Sequence, residues 1–438
     1  MRNGHSAPLS RDNEPSLYFS DTPRRLIVVG AGYVGLATAT GFQRQGHQVD
    51  LVDVNPVLVQ RLSQGRLHFH EPGLAEAFAD AVARQRIRVK LGYEELESAD
   101  FAFICTPTPS MLDGALDNSS VYSAVQELLD VCPGQLRIVI RSTLNPGDSD
   151  GIAEWAEARR ADVDILFNPE FLREGNSLQD FEAPSRVVIG GRSSAATAAM
   201  EEMYSFAGDR LIITDRTSAE LIKLGANSAL AVRVSMANEV AHLASAIGAD
   251  YETVLAGIGA DMRIGRSYLS PGIGFGGSCL PKDLSSLRTS ARRMGVDTPV
   301  FNGAEQTNEN VLERLLERAL SLKQNGSQRR VGVIGAAFKT GSDSVRHSRA
   351  MMLIHKLLSE GIGVSVFDPL AEASARQELG GSVTYASSFE EAALGTSLAI
   401  VVDRSLLPAD ELLDDSVTLI DGLGHEIARS EAALEAAG

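Results

Sequence analysis

Arg24-Arg-Leu-Ile-Val-Val-Gly30-Ala-Gly32-Tyr33-Val34-Gly35 is the stretch that decides the fold. An apolar run ending in glycine reads as a buried strand. The three glycines that follow have the spacing of a dinucleotide loop. Gly30 permits a tight turn, Gly32 lets a pyrophosphate approach a helix N-terminus, and Gly35 permits close helix–strand packing. A helical stretch follows to Gly46. His47-Gln-Val-Asp-Leu-Val-Asp53 then reads as a second strand, completing a βαβ unit. Glycine spacing alone is a weak signal. Asp53 strengthens it, because an acid at that distance binds ribose hydroxyls and repels a 2′-phosphate, so NAD is expected rather than NADP.

Working outward, Phe101–Cys105, Leu136–Arg141, Val163–Phe167 and Val187–Gly190 read as further short strands. Strands alternating with helices indicate a parallel, doubly wound α/β sheet. From Ser218 to about Leu320 the pattern turns helical, with a long proline-free helix over Ala219–Ile247. Helices of that length between two α/β units commonly carry interdomain or subunit contacts. Val331-Gly-Val-Ile-Gly335 then restarts a strand. A helix around Ala350–Glu360 and a strand ending at Asp368 echo the N-terminal unit without its full glycine loop. Leu398–Val402 and Val417–Asp421 continue that second sheet. The expected organisation is a disordered tail over 1–22, an NAD-binding Rossmann domain over 23–215, a central helical domain over 216–324 and a second Rossmann-like domain over 325–438.

Composition narrows the function. The chain has 438 residues, too many for one core, with 44% hydrophobic and 22% charged residues, as in ordinary globular protein. A net charge of −17 argues against nucleic acid as a partner. It also means that any anionic substrate must meet a locally basic site or backbone N–H donors. Cys105, Cys132 and Cys279 are three widely spaced cysteines, neither a disulfide framework nor a metal cluster, which points to a reducing cytoplasm. Residues 1–22 have no apolar core, and no run reaches the length of a membrane span.

Three further patterns carry chemistry. Gly274-Phe-Gly-Gly-Ser-Cys279-Leu-Pro-Lys-Asp283 puts a thiol after small residues and just ahead of a cation and an acid, a setting that favours a nucleophilic thiolate. A glycine turn carrying a structural cysteine is the plainer reading of that run taken alone. Asn168-Pro-Glu170-Phe171-Leu172-Arg-Glu174-Gly175 puts two carboxylates four residues apart, on one face if helical. One could activate water and the other meet the cofactor. Lys223 and Asn227, also four apart in a helix, are convergent donors suited to an oxyanion. Gly225 between them should cost that helix ~1 kcal/mol relative to alanine.

Together these motifs resemble the UDP-glucose/GDP-mannose dehydrogenases, four-electron nucleotide-sugar 6-dehydrogenases. The likeness runs from Arg24 to Asp421 and adds Cys105-Thr106-Pro-Thr108-Pro109, Ser142-Thr143 and Ala337-Phe338-Lys339 with Asp343 and Arg346. It implies two Rossmann-like doubly wound domains joined by a long central helix and helical domain. It implies oxidation of a sugar C6 alcohol to the acid with NAD, and no metal. UDP-glucose is the expected substrate, ahead of GDP-mannose, TDP-glucose or a UDP-N-acetylhexosamine; a two-electron hydroxyacid or polyol dehydrogenase is the rival. By position, Cys279 would attack the aldehyde, Lys223 and Asn227 would stabilise the oxyanion, Glu170 would activate water, and Asp283 and Thr143 would hold water or hydroxyl. Gly30, Gly32, Tyr33, Val34, Gly35, Asp53, Thr106, Thr108, Thr143, Glu174 and Arg346 would hold the cofactor. Phe171, Leu172, Lys223, Asn227, Tyr268, Phe275, Gly276, Phe338 and Lys339 would contact the sugar nucleotide. Arg263 would reach the site of a second subunit of a homodimer.

Overall fold

The computed structural model describes residues 22–94, 96–321, 330–408 and 417–427. The expected tail up to residue 21 and the polar run from Asn325 to Arg329 lie outside the described residues. The chain forms two compact units, one of residues up to Thr108 plus Asn118–Glu220, the other of Pro109–Asp117 plus everything from Leu221.

The first unit runs β1 (Arg25–Val29), α1 (Tyr33–Arg44), β2 (Gln48–Asp53), α2 (Pro56–Ser63), α3 (Leu74–Ala83), β3 (Ile87–Leu91), β4 (Phe101–Ile104), α4 (Ser119–Val131), β5 (Leu136–Ile140), α5 (Asp148–Glu157), β6 (Val163–Phe167), α6 (Ser177–Glu182), β7 (Val187–Gly190), α7 (Ser194–Met203) and β8 (Leu211–Thr214). Its sheet has the order β3-β2-β1-β4-β5-β6-β7-β8. The chain reverses direction of travel across the sheet between β1 and β4, and ligands of such sheets bind outside the carboxyl ends at that point. The sheet departs from the all-parallel expectation at one place: β7 pairs antiparallel with β6 through Phe167 and Gly190. Strands β3 and β8, which the apolar pattern did not mark, close its two edges. Leu26, Val28, Leu36, Phe42 and Phe103 are fully buried at the centre of its core. Phe42 stands 4.9 Å from Phe103 and from Phe181, edge-on to the latter. Gly41 makes room for that packing, since a Cβ there would lie 2.2 Å from the Phe181 ring.

Helix α8 (Arg216–Ala246) begins in the first unit and continues into the second. There it is followed by α9 (Tyr251–Ala260), α10 (Leu280–Arg293), α11 (Pro299–Ser321), β9 (Arg330–Ile334), α12 (Arg349–Ser359), β10 (Gly363–Phe367), α13 (Glu372–Leu379), β11 (Thr384–Tyr385), α14 (Phe389–Ala393), β12 (Leu398–Val401) and β13 (Thr418–Asp421). The second sheet is parallel throughout, in the order β11-β10-β9-β12-β13. Apolar side chains cover both faces, Val333, Ile354 and Leu357 in one cluster and Ile334, Phe389 and Val401 in another, as a parallel sheet requires.

Candidate active site

In the first unit the glycine loop lies at the carboxyl end of β1. Gly30 has φ 95° and donates its N–H to the Val52 carbonyl at 2.8 Å. A Cβ on Gly30 would come within 2.7 Å of the Cys105 carbonyl, and one on Gly35 within 1.8 Å of the Gly30 carbonyl, so both positions exclude any larger residue. A Cβ on Gly32 would meet nothing within 4 Å. Gly32 is also the N-cap of α1, with no side chain capping the helix and no acid in its first turn. The amides and positive end of α1 are therefore left for an anion. Asp53 holds this loop in shape. Its Oδ2 accepts from the Ala31 N–H at 2.8 Å and its Oδ1 from the Asn55 N–H at 2.9 Å.

Across the switch point stand the loops after β4 and β5. The Thr108 hydroxyl donates to the Thr143 carbonyl at 2.8 Å, and the Ser142 hydroxyl to the Thr106 carbonyl at 2.6 Å. These bonds bring the loops bearing Thr106, Thr108 and Thr143 together. Cys105, beneath them, is buried, and burial pushes its thiol up to about 11; it is structural. Helix α5, just past Thr143, is capped from α8. Buried Glu220 accepts from the Gly147 and Ser149 N–H groups at 2.6 and 2.7 Å, and burial raises its carboxyl to about 7.

Glu170 and Glu174 do not share a helix. Residues 168–173 are irregular, with Glu174 and Gly175 in a turn. The reasons are local and distant. Pro169 disfavours a helical Asn168. Asn168 is buried, donates from Nδ2 to the Val188 carbonyl at 2.7 Å and accepts from Arg141 and from the Tyr204 hydroxyl. Gly175 has φ 87°. Glu170 is nearly buried and turns back on its own loop, Oε2 accepting from the Leu172 N–H at 2.7 Å. Phe171 lies under the Arg186 guanidinium at 3.7 Å, and Leu172 packs against the core of the sheet.

In the second unit Cys279 is the exposed cysteine of the three. It is the N-cap of α10, with Pro281 in the first turn, so the positive end of that helix favours negative charge on Sγ. Helix α10 is fastened to α8: Asn227 Nδ2 donates to Asp283 Oδ2 at 2.6 Å, and Lys282 Nζ lies 2.9 Å from Asp283 Oδ1. Asp283 is 1% exposed, so this pairing takes place away from water. Lys223 is buried on α8, one turn ahead of Asn227. The segment Pro109–Asp117 also grips α10, the Asp113 carbonyl accepting from the Thr289 hydroxyl at 2.7 Å.

The glycine run before Cys279 is shaped from outside. Asn308 on α11 accepts from the Phe275 N–H at 2.8 Å and donates to the Phe275 carbonyl at 3.1 Å. Phe275 itself is buried with Ala231 and Leu284. The Gly277 N–H donates to the His347 carbonyl at 3.1 Å, and a Cβ on Gly277 would lie 2.7 Å from the Phe338 ring. A Cβ on Gly276 would be as close to the His347 carbonyl. The loop over 335–348, with Phe338, Lys339 and Arg346, thus abuts the Cys279 loop. Tyr268 is exposed at φ 59°, a left-handed backbone that a bulky residue adopts only at a cost of order 1–3 kcal/mol. Arg263 is well exposed and pairs with Asp261 at 2.6 Å. Asn308, Glu71 and Glu220 escape the sequence reading. Only Glu71-Pro72-Gly73, ahead of α3, bears a local signal, and it is a turn signal.

An open helix terminus above a glycine turn and a carboxylate at the end of β2 define, in the first unit, the dinucleotide site of a dehydrogenase. The residues fit the dinucleotide: Gly32 leaves space for the pyrophosphate, α1 has uncapped amides, and Asp53 stands at the strand end. Comparison with known proteins narrows the class. Profiles of the UDP-glucose/GDP-mannose dehydrogenase family match residues 24–207 (NAD binding domain), 217–310 (central domain) and 332–405 (UDP binding domain). A UDP-glucose 6-dehydrogenase of Haloferax volcanii is 34% identical over 86% of this chain and 90% of its own length. That of Pseudomonas aeruginosa is 36% identical over 80% of each chain. The solved structure of a UDP-glucose dehydrogenase from Pyrobaculum islandicum is 34% identical and superposes with a TM-score of 0.85 over 95% of this chain and 96% of its own. The chain belongs to the UDP-glucose/GDP-mannose dehydrogenase family. It is an NAD-dependent oxidoreductase that takes a nucleotide sugar. Among the described residues no helix is long and apolar enough to cross a membrane, and no group of three or more His, Cys, Asp or Glu could hold a metal ion.

Proposed function

We propose that this protein oxidises UDP-glucose at C6 to UDP-glucuronate, through a thiohemiacetal and a thioester on Cys279. Support for the substrate comes from the relatives of known activity at 34–36% identity. Support for the chemistry comes from one observation above the rest: the exposed Cys279 occupies the N-cap position of α10, and α10 is tied to the helix bearing Lys223 by the 2.6 Å Asn227–Asp283 bond. NAD supplies the hydride acceptor at each of the two oxidations.

The C6 alcohol loses a proton and a hydride and becomes an aldehyde. The Cys279 thiolate adds to it, forming a C–S bond and an oxyanion that Lys223 stabilises. Loss of a second hydride from the same carbon leaves a thioester. Water, deprotonated by Glu170, adds to the thioester, and the C–S bond breaks to give carboxylate and thiolate. Sulfur keeps the half-oxidised sugar from diffusing away and makes the second oxidation intramolecular. Asn227 and Asp283 orient the reacting oxygen and Thr143 the hydroxyl or water. Gly30–Gly35, Asp53, Thr106, Thr108 and Glu174 hold the dinucleotide, with Arg346 on its phosphates. Phe171, Leu172, Tyr268, Phe338, Lys339 and the Phe275–Gly276 backbone meet the sugar nucleotide. The first Rossmann-like domain serves the cofactor, the central helices the thiol, and the last domain the nucleotide. The enzyme works as a cytoplasmic homodimer, with Arg263 released from Asp261 to reach the second subunit.

The test mixes the enzyme and NAD with UDP-, GDP- and TDP-linked sugars and counts NADH per sugar consumed. UDP-glucose should give two; one NADH, or a higher specificity constant for another nucleotide sugar, overturns the assignment. Cys279→Ser should abolish net acid formation. Lys223→Ala should lower kcat by ~10²–10³-fold, the usual effect of losing one oxyanion donor.

A further inference from the structure

Glu71 is a buried carboxylate for which the reaction has no use, 2% exposed and far in sequence from every catalytic motif. All its contacts lie in the first unit. Its Oε2 accepts from the Gly175 N–H at 2.8 Å and its Oε1 from the Ser177 N–H at 2.7 Å. The Tyr33 hydroxyl lies 3.3 Å from the same Oε1 and donates to the Arg173 carbonyl at 2.8 Å. Tyr33 is the first residue of α1, inside the cofactor loop. Its hydroxyl is held protonated by burial and by the neighbouring Glu71 charge. The ring is kept in place by Phe69, 5.5 Å away.

These contacts close the second end of the loop that carries Glu170. Asn168 fixes the first end through Arg141, Tyr204 and the Val188 carbonyl. Without Glu71 the Ser177 N–H would be left buried and the Gly175 N–H half-buried without this acceptor, and the left-handed Gly175 would lose the bond that sets its turn. Tyr33 then makes the cofactor loop and the Glu170 loop one connected body.

We propose that Glu71 is a positioning residue for thioester hydrolysis, which holds the Glu170 loop in register with the cofactor loop through Tyr33. The inference rests on the reading of Glu170 as the water-activating base. The substitution that isolates it is Glu71→Gln, the same size but with an NH2 in place of one oxygen. Whichever way that amide turns, its NH2 faces the N–H of Gly175 or of Ser177, and one bond becomes a clash of donors. Misplacing a base by about 1 Å lowers a rate by up to ~10²-fold.

The experiment uses full-length Glu71→Gln, Tyr33→Phe and Glu170→Gln enzymes with NAD and UDP-glucose. It records the burst of NADH, the steady-state rate and the intact mass of acid-quenched protein. Glu71→Gln should keep a burst of two NADH per site at near wild-type rate, lose about 10–100-fold in steady-state kcat, and accumulate protein heavier by UDP-glucuronate less water. Tyr33→Phe, which removes a single oxygen and should fold, is expected to show the same pattern with a loss of about 3–10-fold. Wild-type turnover without adduct in both variants, while Glu170→Gln does accumulate it, overturns the inference. So does a burst slowed as much as turnover, which would mark a merely structural carboxylate. Absence of adduct in Glu170→Gln would instead remove the base assignment on which the inference stands.

Discussion

Gly30 and Gly335 occupy the same place in the two sheets. Their φ angles are 95° and 96°, and each donates its N–H at 2.8 Å to the last or next-to-last carbonyl of the neighbouring strand, Val52 in one case and Phe367 in the other. Each is blocked by the loop that follows the strand beyond, a Cβ meeting the Cys105 carbonyl at 2.7 Å or the Asp403 Cβ at 2.9 Å. Each turn is then bound by an aspartate: Asp53 takes the Ala31 N–H, and Asp368 takes those of Ala336 and Ala337 at 2.8 and 3.0 Å. After that the two units part. Helix α1 begins at Tyr33 under an N-cap glycine with no side chain to offer. Helix α12 begins at Arg349, and the Ser348 hydroxyl accepts from the Met351 N–H at 3.4 Å. The chain satisfies one helix terminus by itself and leaves the other to a ligand. In the second unit the intervening loop carries Phe338 and the His347 carbonyl against the Cys279 run instead. A shared turn therefore does not make a shared site; the side chain at the N-cap decides.

The strongest test of that contrast is Gly35→Ala. Its Cβ would stand 1.8 Å from the Gly30 carbonyl, so the variant should lose about 3 kcal/mol or more of stability and all NAD binding. Gly341→Ala, in the corresponding region of the second unit, meets nothing within 4 Å and should cost only ~1 kcal/mol for its φ of 75°. Thermal melts of the two, side by side, measure the difference. Next comes the aspartate pair. Asp368 also accepts from the Leu370 and Ala371 N–H groups at 3.1 and 2.9 Å, so Asp368→Ala should lose roughly 2–3 kcal/mol while NAD affinity stays at the wild-type value. Asp53→Ala should weaken NAD about tenfold and admit NADP. Titrations in which Asp368→Ala also weakened NAD would erase the distinction between the sheets.

Gly32→Ala sharpens the contrast further. Its φ of −76° and open surroundings predict unchanged stability, but the new methyl occupies the pyrophosphate's approach, so NAD affinity should fall about tenfold. The last test is acid sensitivity. His47 accepts the Arg24 N–H on Nδ1 at 3.1 Å, and burial, aided by Arg24, lowers its pKa to about 4. The unfolded chain takes up this proton below about pH 6.5 and the folded one does not. Stability from this group is thus complete above pH 6.5 and declines as pH falls towards 4. His47→Asn, which keeps an acceptor, should flatten that slope in melts between pH 7 and 4.

The sequence disclosed what is local. Gly30–Gly35 and Asp53 are set by short-range steric rules, as is the echo ending at Asp368, and the long helix announced itself by its spacing. The antiparallel β7 and the edge strands β3 and β8 were hidden, because their pairing depends on neighbours far along the chain. Glu170 and Glu174 looked helical by spacing. Their loop is irregular because Asn168 bonds across to β7 and Gly175 bonds to Glu71, 104 residues away. Asn308 clamps the Phe275 backbone from 33 residues downstream, which no motif foretells. Cys279 stood out in the sequence by its run of small residues; its seat at the N-cap of α10 needed the fold.

The division of labour between the two sheets can be read directly by amide hydrogen exchange on the full chain, once with NAD alone and once with UDP alone. NAD should protect the amides of 31–36 and leave 336–348 unchanged, and UDP should slow exchange over 272–278 and 336–348 with no effect on 31–36. Protection of 336–348 by NAD, or of 31–36 by UDP, would contradict the account.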